Sequence, residues 1–224
     1  EDPPLGADIP RLSYAGAAGN ATAYFVPSAE GSTKHGERII NWACYIPLAD
    51  DAVEGFMVDR DGERREGSLP PGAMRPSEED RLKAQMRTAL PDWYGEMVAD
   101  TEDTFVQLIY TARLSAYAKG RTGHVGDAWV VAPTFSGSGV FKGYQNVSGL
   151  LAQLSAAEDV DAALEAWSAE QVRLGDRLLA LGDQMEQAFI WDSIDLRTAD
   201  GEAVAAWWKA AVTFPEEFTY QADE

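Results

Sequence analysis

The sequence predicts a mixed chain of the α+β or α/β kind, and three observations carry that expectation. Two runs rich in aromatic and β-branched residues, 23–26 and 39–46, read as strands joined by a polar turn around Glu30-Gly31 and His35-Gly36. The stretch 120–154, GRTGHVGDAWVVAPTFSGSGVFKGYQNVSGLLAQL, reads as a short strand ending in Gly126-Asp127, a loop holding Pro133, and a helix opened by Gly137 and Gly139. Residues 160–189 carry Leu164, Trp167, Gln171, Leu174, Leu178 and Leu181 at three- or four-residue steps, an apolar stripe on one long helix. Such a stripe serves core packing. Gly175 and Gly182 weaken it, because glycine is a poor helix former.

The remaining elements follow in order. Residues 1–20 are rich in Gly, Ala and Pro and read as a loop or frayed edge. A third apolar stretch at 56–59 runs into Asp61-Gly62, a strong turn signal, and Arg60, Glu63, Arg64, Arg65 and Glu66 make that tip charged and exposed. Pro70-Pro71-Gly72 breaks the chain. Ser77 reads as an N-cap, with Glu78, Glu79 and Asp80 where the helix dipole favours acids, and the helix ends near Leu90, before Pro91. A second short helix is expected at 92–100. The run 104–113, TFVQLIYTAR, alternates as one half-buried strand should. A last short helix at 202–212 holds Trp207 and Trp208, and the acidic tail past Pro215 reads as loose. No internal repeat is present.

Composition narrows the function classes. The 224 residues, 46% hydrophobic and 10% aromatic, suffice for one large or two small folded domains. A net charge of −19, from 18 basic and 37 acidic residues, argues against nucleic acid or an anionic membrane as partner. No apolar run is long enough to span a bilayer, and a cytoplasmic location is the expectation. Cys44, the sole cysteine, lies in an apolar run and reads as a small buried side chain. His35 and His124 are far apart in sequence and read as structural, so no metal site is expected. Ser136 and Ser138 carry no Ser-His-Asp signature, and no side chain stands out as a catalyst.

The chemistry concentrates at 126–141. A glycine pair lets a ligand approach the main chain closely and supplies backbone angles that a side chain forbids. A helix start adds unpaired N–H donors and partial positive charge. Asp127 at a strand end can accept hydrogen bonds from ligand hydroxyls. On spacing alone, a Gly-rich connection with no ligand remains an open reading.

These residues resemble the second flavin motif of FAD-dependent aromatic hydroxylases, the para-hydroxybenzoate hydroxylase-like monooxygenases, where G-D-A, a proline and a glycine-rich helix start recur in this order. The run 24–48, YFVPSAEGSTKHGERIINWACYIPL, adds likeness to the branch acting on hydroxylated pyridines, and the resemblance spans most of 21–182. It implies a substrate-side β-sheet with helices at 1–118. Residues 119–190 would form the carboxyl-terminal part of an FAD-binding domain, with the second flavin motif and the long helix, and 191–224 a last helix and tail. Trp129, Gly143 and Asn146 depart from the usual family residues.

By that resemblance Asp127 contacts the ribityl or ribose hydroxyls of FAD. Gly137, Ser138, Gly139, Val140 and Phe141 face the pyrimidine side of the flavin, stabilising negative charge at N1 and the C2 carbonyl. Pro133 lies near flavin and substrate, and Phe135 beside the flavin. Tyr24, Trp42 and Tyr45 belong to the sheet on the substrate side and would make an aromatic wall for a planar ring. Ordinary core packing is an equally open reading for each. The implied reaction hydroxylates a small aromatic or heteroaromatic ring through a flavin C4a-hydroperoxide, with NADH or NADPH and O2. The family's GxGxxG turn and later D-G motif are not found, so the chain is expected to be a carboxyl-terminal portion. Its partner would be the missing FAD-binding half or a second copy in a homodimer. A degenerate flavoprotein remnant that binds a small ligand or a partner is the alternative.

Overall fold

Alternation at period two builds the first sheet. In strand β2, Gly19–Val26, Ala21 and Ala23 turn to one face and are buried; β3, Ile39–Tyr45, pairs antiparallel with it, setting Ala21 opposite Cys44 and Ala23 opposite Trp42. Strand β1, Arg11–Gly16, pairs antiparallel with the other edge of β2, giving the order β1-β2-β3. The computed structural model describes residues 11–16, 19–196 and 198–213. The stretch expected as loop therefore contributes an edge strand over 11–16. Strand stability comes from cross-strand pairing more than from residue preference, so a Gly- and Ala-rich segment can still be recruited. Gly19 is required where β2 begins: its φ is +112°, and a Cβ there would lie 1.9 Å from the Tyr45 carbonyl oxygen.

The buried face of this sheet packs on two helices. Helix α1 spans Asp50–Phe56, strand β4 Ser68–Leu69, α2 Pro76–Ala89 and α3 Asp92–Asp100. Ala21 and Ala23 meet Met86, Leu90, Tyr94 and Val98, with Ile40, Trp42, Cys44 and Ile46 around them. Pro76, not Ser77, opens α2. It occupies the first helical position, where its missing N–H costs nothing and its fixed φ suits the helix, while Arg75 holds the cap position without a side-chain bond. A smaller core joins Met57, Leu69 and Met74 under α1, a helix the sequence reading did not anticipate. Asp59 anchors the charged tip from within. Its carboxylate is buried, accepts the N–H groups of Asp61 and Glu63 at 2.9 Å each, and pairs with Arg65 Nε at 2.7 Å.

The run 104–113 is not one strand. Strand β5, Val106–Gln107, pairs with β4, whereas β6, Ala112–Arg113, pairs with Val130–Val131. The change of partner marks a division of the chain into two units, with the boundary between Leu108 and Ile109. The first unit takes the described residues up to Leu108 together with Gln187–Trp207; the second takes Ile109–Glu186 and the described residues from Trp208 onward.

In the second unit, strands β7, Ala118–Lys119, and β8, Thr122–Gly123, form a short hairpin, β9 is Val130–Val131, and helices α4, Gly139–Ala156, and α5, Val160–Glu186, pack together. The expected stripe of α5 is buried at Leu164, Trp167, Gln171, Leu178 and Leu181, and Leu164, Trp167 and Leu178 pack with Tyr117, Trp129 and Val130. Gly175 and Gly182 are close-approach positions, not weak points. A Cβ on Gly175 would lie 3.0 Å from Tyr117 Oη, and one on Gly182 would lie 2.6 Å from Pro133 Cδ. A π-helical turn, Gln187–Trp191, follows α5 and packs on β1 and β2 in the first unit. The last helix, α6, spans Gly201–Val212; Trp207 Nε1 donates to the Ala188 carbonyl at 3.1 Å. The tail past Pro215 lies outside the described residues.

Candidate functional site

The Gly126-Asp127-Ala128 motif is a 3-10 turn that precedes β9, so Asp127 is not at a strand's carboxyl end as expected. The cause is local. Gly126 takes a φ of +62°, and its N–H is captured by Asn146 Oδ1 at 2.8 Å instead of entering a ladder. Asn146 is fully buried, donates to Gln171 Oε1 at 2.7 Å, and accepts Trp167 Nε1 on its backbone oxygen at 3.0 Å. Helices α4 and α5 thus fix the turn through one satisfied polar chain. This is where Asn146 departs from the expected acidic residue, and an amide supplies both the acceptor and the donor that the arrangement uses.

Lys142 fixes the carboxylate. Its side chain is only 6% exposed, yet its ammonium donates to the Val130 carbonyl and pairs with Asp127 Oδ1, each at 2.6 Å. Asp127 itself is 83% exposed on its side chain. A buried cation on the first turn of α4 therefore holds one carboxylate oxygen while the group stays open to solvent. Nothing in the sequence pattern singles out Lys142 for this role.

The start of α4 matches the expectation of a bare helix end. Gly137 adopts the left-handed conformation at φ +63°, and Gly139, Val140 and Phe141 are exposed. The N-cap residue Ser138 makes no side-chain cap bond: its Oγ lies 2.6 Å from Ser136 Oγ, which also accepts the Ser138 N–H at 3.4 Å. The Lys142 N–H is the first to bond back along the helix, to the Ser138 carbonyl at 2.8 Å. The N–H groups of Gly139, Val140 and Phe141 before it carry the partial positive charge of an 18-residue helix into solvent. Pro133 and Ser138 are buried beneath this surface, and Phe135 is half-buried in a 3-10 turn, Thr134–Ser136. Together these groups can receive an electron-rich or anionic edge at the helix start and ligand hydroxyls at Asp127.

The sheet aromatics do not form one wall. Trp42 faces the helices, where its Nε1 donates to Thr101 Oγ1 at 3.0 Å. Tyr24, paired with Asn41, and Tyr45, paired with Asn20, project from the opposite face, and Tyr24 is exposed. The three expected substrate-side aromatics therefore do not share a face: Tyr24 and Tyr45 lie on one, Trp42 on the other. Burial pushes the Cys44 thiol up to about 12. His124 is exposed, and only its backbone N–H is engaged with this core, on the Tyr117 carbonyl at 2.8 Å. Among the described residues no group of three or more His, Cys, Asp or Glu could hold a metal ion, and no helix is long and apolar enough to cross a membrane.

Comparison with known proteins bears on both units. Residues 10–111 match the FAD binding domain-like family. The fold is that of the FAD-dependent monooxygenases. It superposes on 2,6-dihydroxypyridine-3-hydroxylase from Arthrobacter nicotinovorans with a TM-score of 0.72 at 19% identity, over 84% of this chain and 47% of that one. PqsL from Pseudomonas aeruginosa, a probable FAD-dependent monooxygenase, matches with a TM-score of 0.53 at 17% identity, over 89% and 47%. A point variant of HpxO from Klebsiella pneumoniae, complexed with FAD, matches at 0.50 and 15%, over 90% and 44%. The chain spans about half the length of these structures. No curated protein sequence matches it.

Proposed function

We propose that the chain supplies the flavin-facing helix start and part of the substrate side of an FAD-dependent monooxygenase. The enzyme would hydroxylate a small aromatic or heteroaromatic ring, with NADH or NADPH and O2 as co-substrates. The observation that carries this reading is the uncapped, exposed start of α4 with Asp127 tied to its first turn by Lys142.

The residues suit FAD by the chemistry of their donors and acceptors. Asp127 would accept hydrogen bonds from ribityl or ribose hydroxyls, and the N–H groups of Gly139, Val140 and Phe141 would meet the pyrimidine edge of the flavin. Bound there, FAD would supply hydride acceptance and oxygen activation, chemistry that no side chain of this fold provides. The chain's own part is binding and orientation. Lys142 holds Asp127 in register, and the left-handed Gly137 keeps side chains away from the approach to the helix start. Partial positive charge at the helix start favours an electron-rich ligand edge. Tyr24 and Tyr45 would present ring faces to a planar substrate, and the apolar surface of Phe135 would help exclude water.

The test is Asp127→Ala in the complete protein, that is, this chain with the half of the fold it does not cover. FAD retention should weaken measurably. Unchanged FAD affinity, or a flavin-loaded wild type showing no substrate-stimulated NADH or NADPH oxidation, would overturn the proposal.

A further inference from the structure

Two residues one turn apart on α5 grip Asn146 of α4. Trp167 Nε1 donates to its backbone oxygen at 3.0 Å, and Gln171 Oε1 accepts its Nδ2 at 2.7 Å. The remaining end of the carboxamide, Oδ1, accepts the Gly126 N–H at 2.8 Å. Gly126 is held on its other side as well, since its carbonyl accepts the Trp129 N–H at 3.0 Å. Lys142, one turn before Asn146 on the same buried face of α4, pairs with Asp127 Oδ1 at 2.6 Å. One helix face thus holds the backbone of the turn with an amide and its carboxylate with an ammonium. Asn146 and Gln171 are 0% and 1% exposed, so water cannot stand in for either partner.

A carboxamide is nearly symmetric in shape but not in chemistry: one end accepts and the other donates. With its ends exchanged, Asn146 would set Nδ2 against the Gly126 N–H, donor against donor, and Oδ1 against Gln171 Oε1, acceptor against acceptor. Gln171 is itself confined. A Cβ on Gly149 of α4 would lie 3.4 Å from its Nε2, and the Trp167 ring lies against the same glycine. We infer that Gln171 is a positioning residue for Asp127. It fixes the sense of the Asn146 amide, and through that amide the Gly126 N–H and the turn that carries the carboxylate. This role rests on the proposed contact between Asp127 and FAD hydroxyls. It places a control point for that contact on a helix whose stripe otherwise serves packing.

Two variants of the complete protein, Gln171→Leu and Gln171→Glu, give the test. Leucine removes the acceptor, whereas glutamate keeps an acceptor in the same place but buries a carboxylate. FAD affinity, titrated into the flavin-free protein, should fall roughly tenfold for Gln171→Leu, the weight of about one hydrogen bond, and stay within about twofold of wild type for Gln171→Glu. Hydrogen exchange at the Gly126 amide, measured without flavin, should quicken roughly tenfold in the leucine variant alone. Melting temperature should not follow that order, because the buried carboxylate destabilises the glutamate variant as well. Gly126 exchange indifferent to Gln171→Leu would overturn the inference. So would a glutamate variant that binds FAD as weakly as the leucine one, or quickened exchange with unchanged FAD affinity where Asp127→Ala does lower it. Failure of the flavin reading shows separately: Asp127→Ala would leave FAD affinity unchanged, while exchange at Gly126 that still answered to Gln171→Leu would support Gln171 as the residue that sets the turn.

Discussion

Replacing Asp127 with alanine separates the structural part of the Asp127–Lys142 pair from its part in ligand binding. The variant leaves the ammonium of the buried Lys142 with the Val130 carbonyl at 2.6 Å as its remaining partner. Breaking a fully buried ion pair costs about 3–5 kcal/mol. Asp127 is 83% exposed, so water reaches one side of the pair and the expected cost falls to about 1–2 kcal/mol. For a chain of this size that lowers the melting temperature by roughly 2–8 °C. Lys142→Met removes the cation and instead leaves the Val130 carbonyl without its donor, at about 1–3 kcal/mol. With both changes no buried charge remains, so the double variant should cost less than the two single costs together, by about 1 kcal/mol. Urea or thermal denaturation of the four proteins measures this. Strict additivity would show that the pair does not couple and that Lys142 does not position the carboxylate. FAD affinity, measured in the complete protein, should fall for Asp127→Ala well below the temperature at which the variant unfolds.

Four further outcomes follow from packing and charge. Gly182→Ala drives a Cβ to 2.6 Å from the buried Pro133 ring; overpacking of about 1–3 kcal/mol should outweigh the gain of about 1 in helix propensity, lowering stability in a melt. Gly143→Ala, which meets nothing within 4 Å on α4, should stabilise the chain by about 0.5–1 kcal/mol in the same assay; equal effects at the two sites would refute the close-approach argument. Cys44, with its thiol pushed up to about 12, should resist a disulfide-exchange reagent at pH 8 until denaturant is added. The Asp59 carboxylate is held below its ordinary 3.8 by Arg65 and by the Glu63 and Asp61 N–H groups, so its contribution is present above that value and is lost as pH falls through the lowered one. Asp59→Asn should therefore be less stable than wild type at neutral pH and converge on it in acid melts; a constant gap would exclude the ion pair as the cause.

Much of the fold is legible in short-range pattern. Helix α3 stands where Pro91 and the residues before it imply, α5 follows its three-and-four stripe, and the start of α4 falls at the glycines that mark it. What local pattern cannot carry is partnership. The run 104–113 alternates well but pairs with two different strands, and 11–16 becomes a strand only because β2 offers an edge. The aromatic wall was avoidable: positions 42 and 45 are an odd number of residues apart on one strand, so they must face opposite ways. Gln171 within an apolar stripe was likewise a visible sign of a buried polar partner, although nothing in the sequence named it as Asn146. The Lys142–Asp127 contact has no short-range signature, since it links the first turn of a helix to a turn fifteen residues earlier through tertiary packing.

The chain passes from one unit to the other at Leu108, returns at Gln187 and leaves again after Trp207. A simple cut at Leu108 would strip the sheet of the π-helical turn that covers β1 and β2, along with Trp207 and its bond to Ala188. Neither unit is a cassette that recombination could lift out as one uninterrupted gene segment. A variant made in isolation must therefore keep 187–207 with the sheet, or the sheet loses its cover.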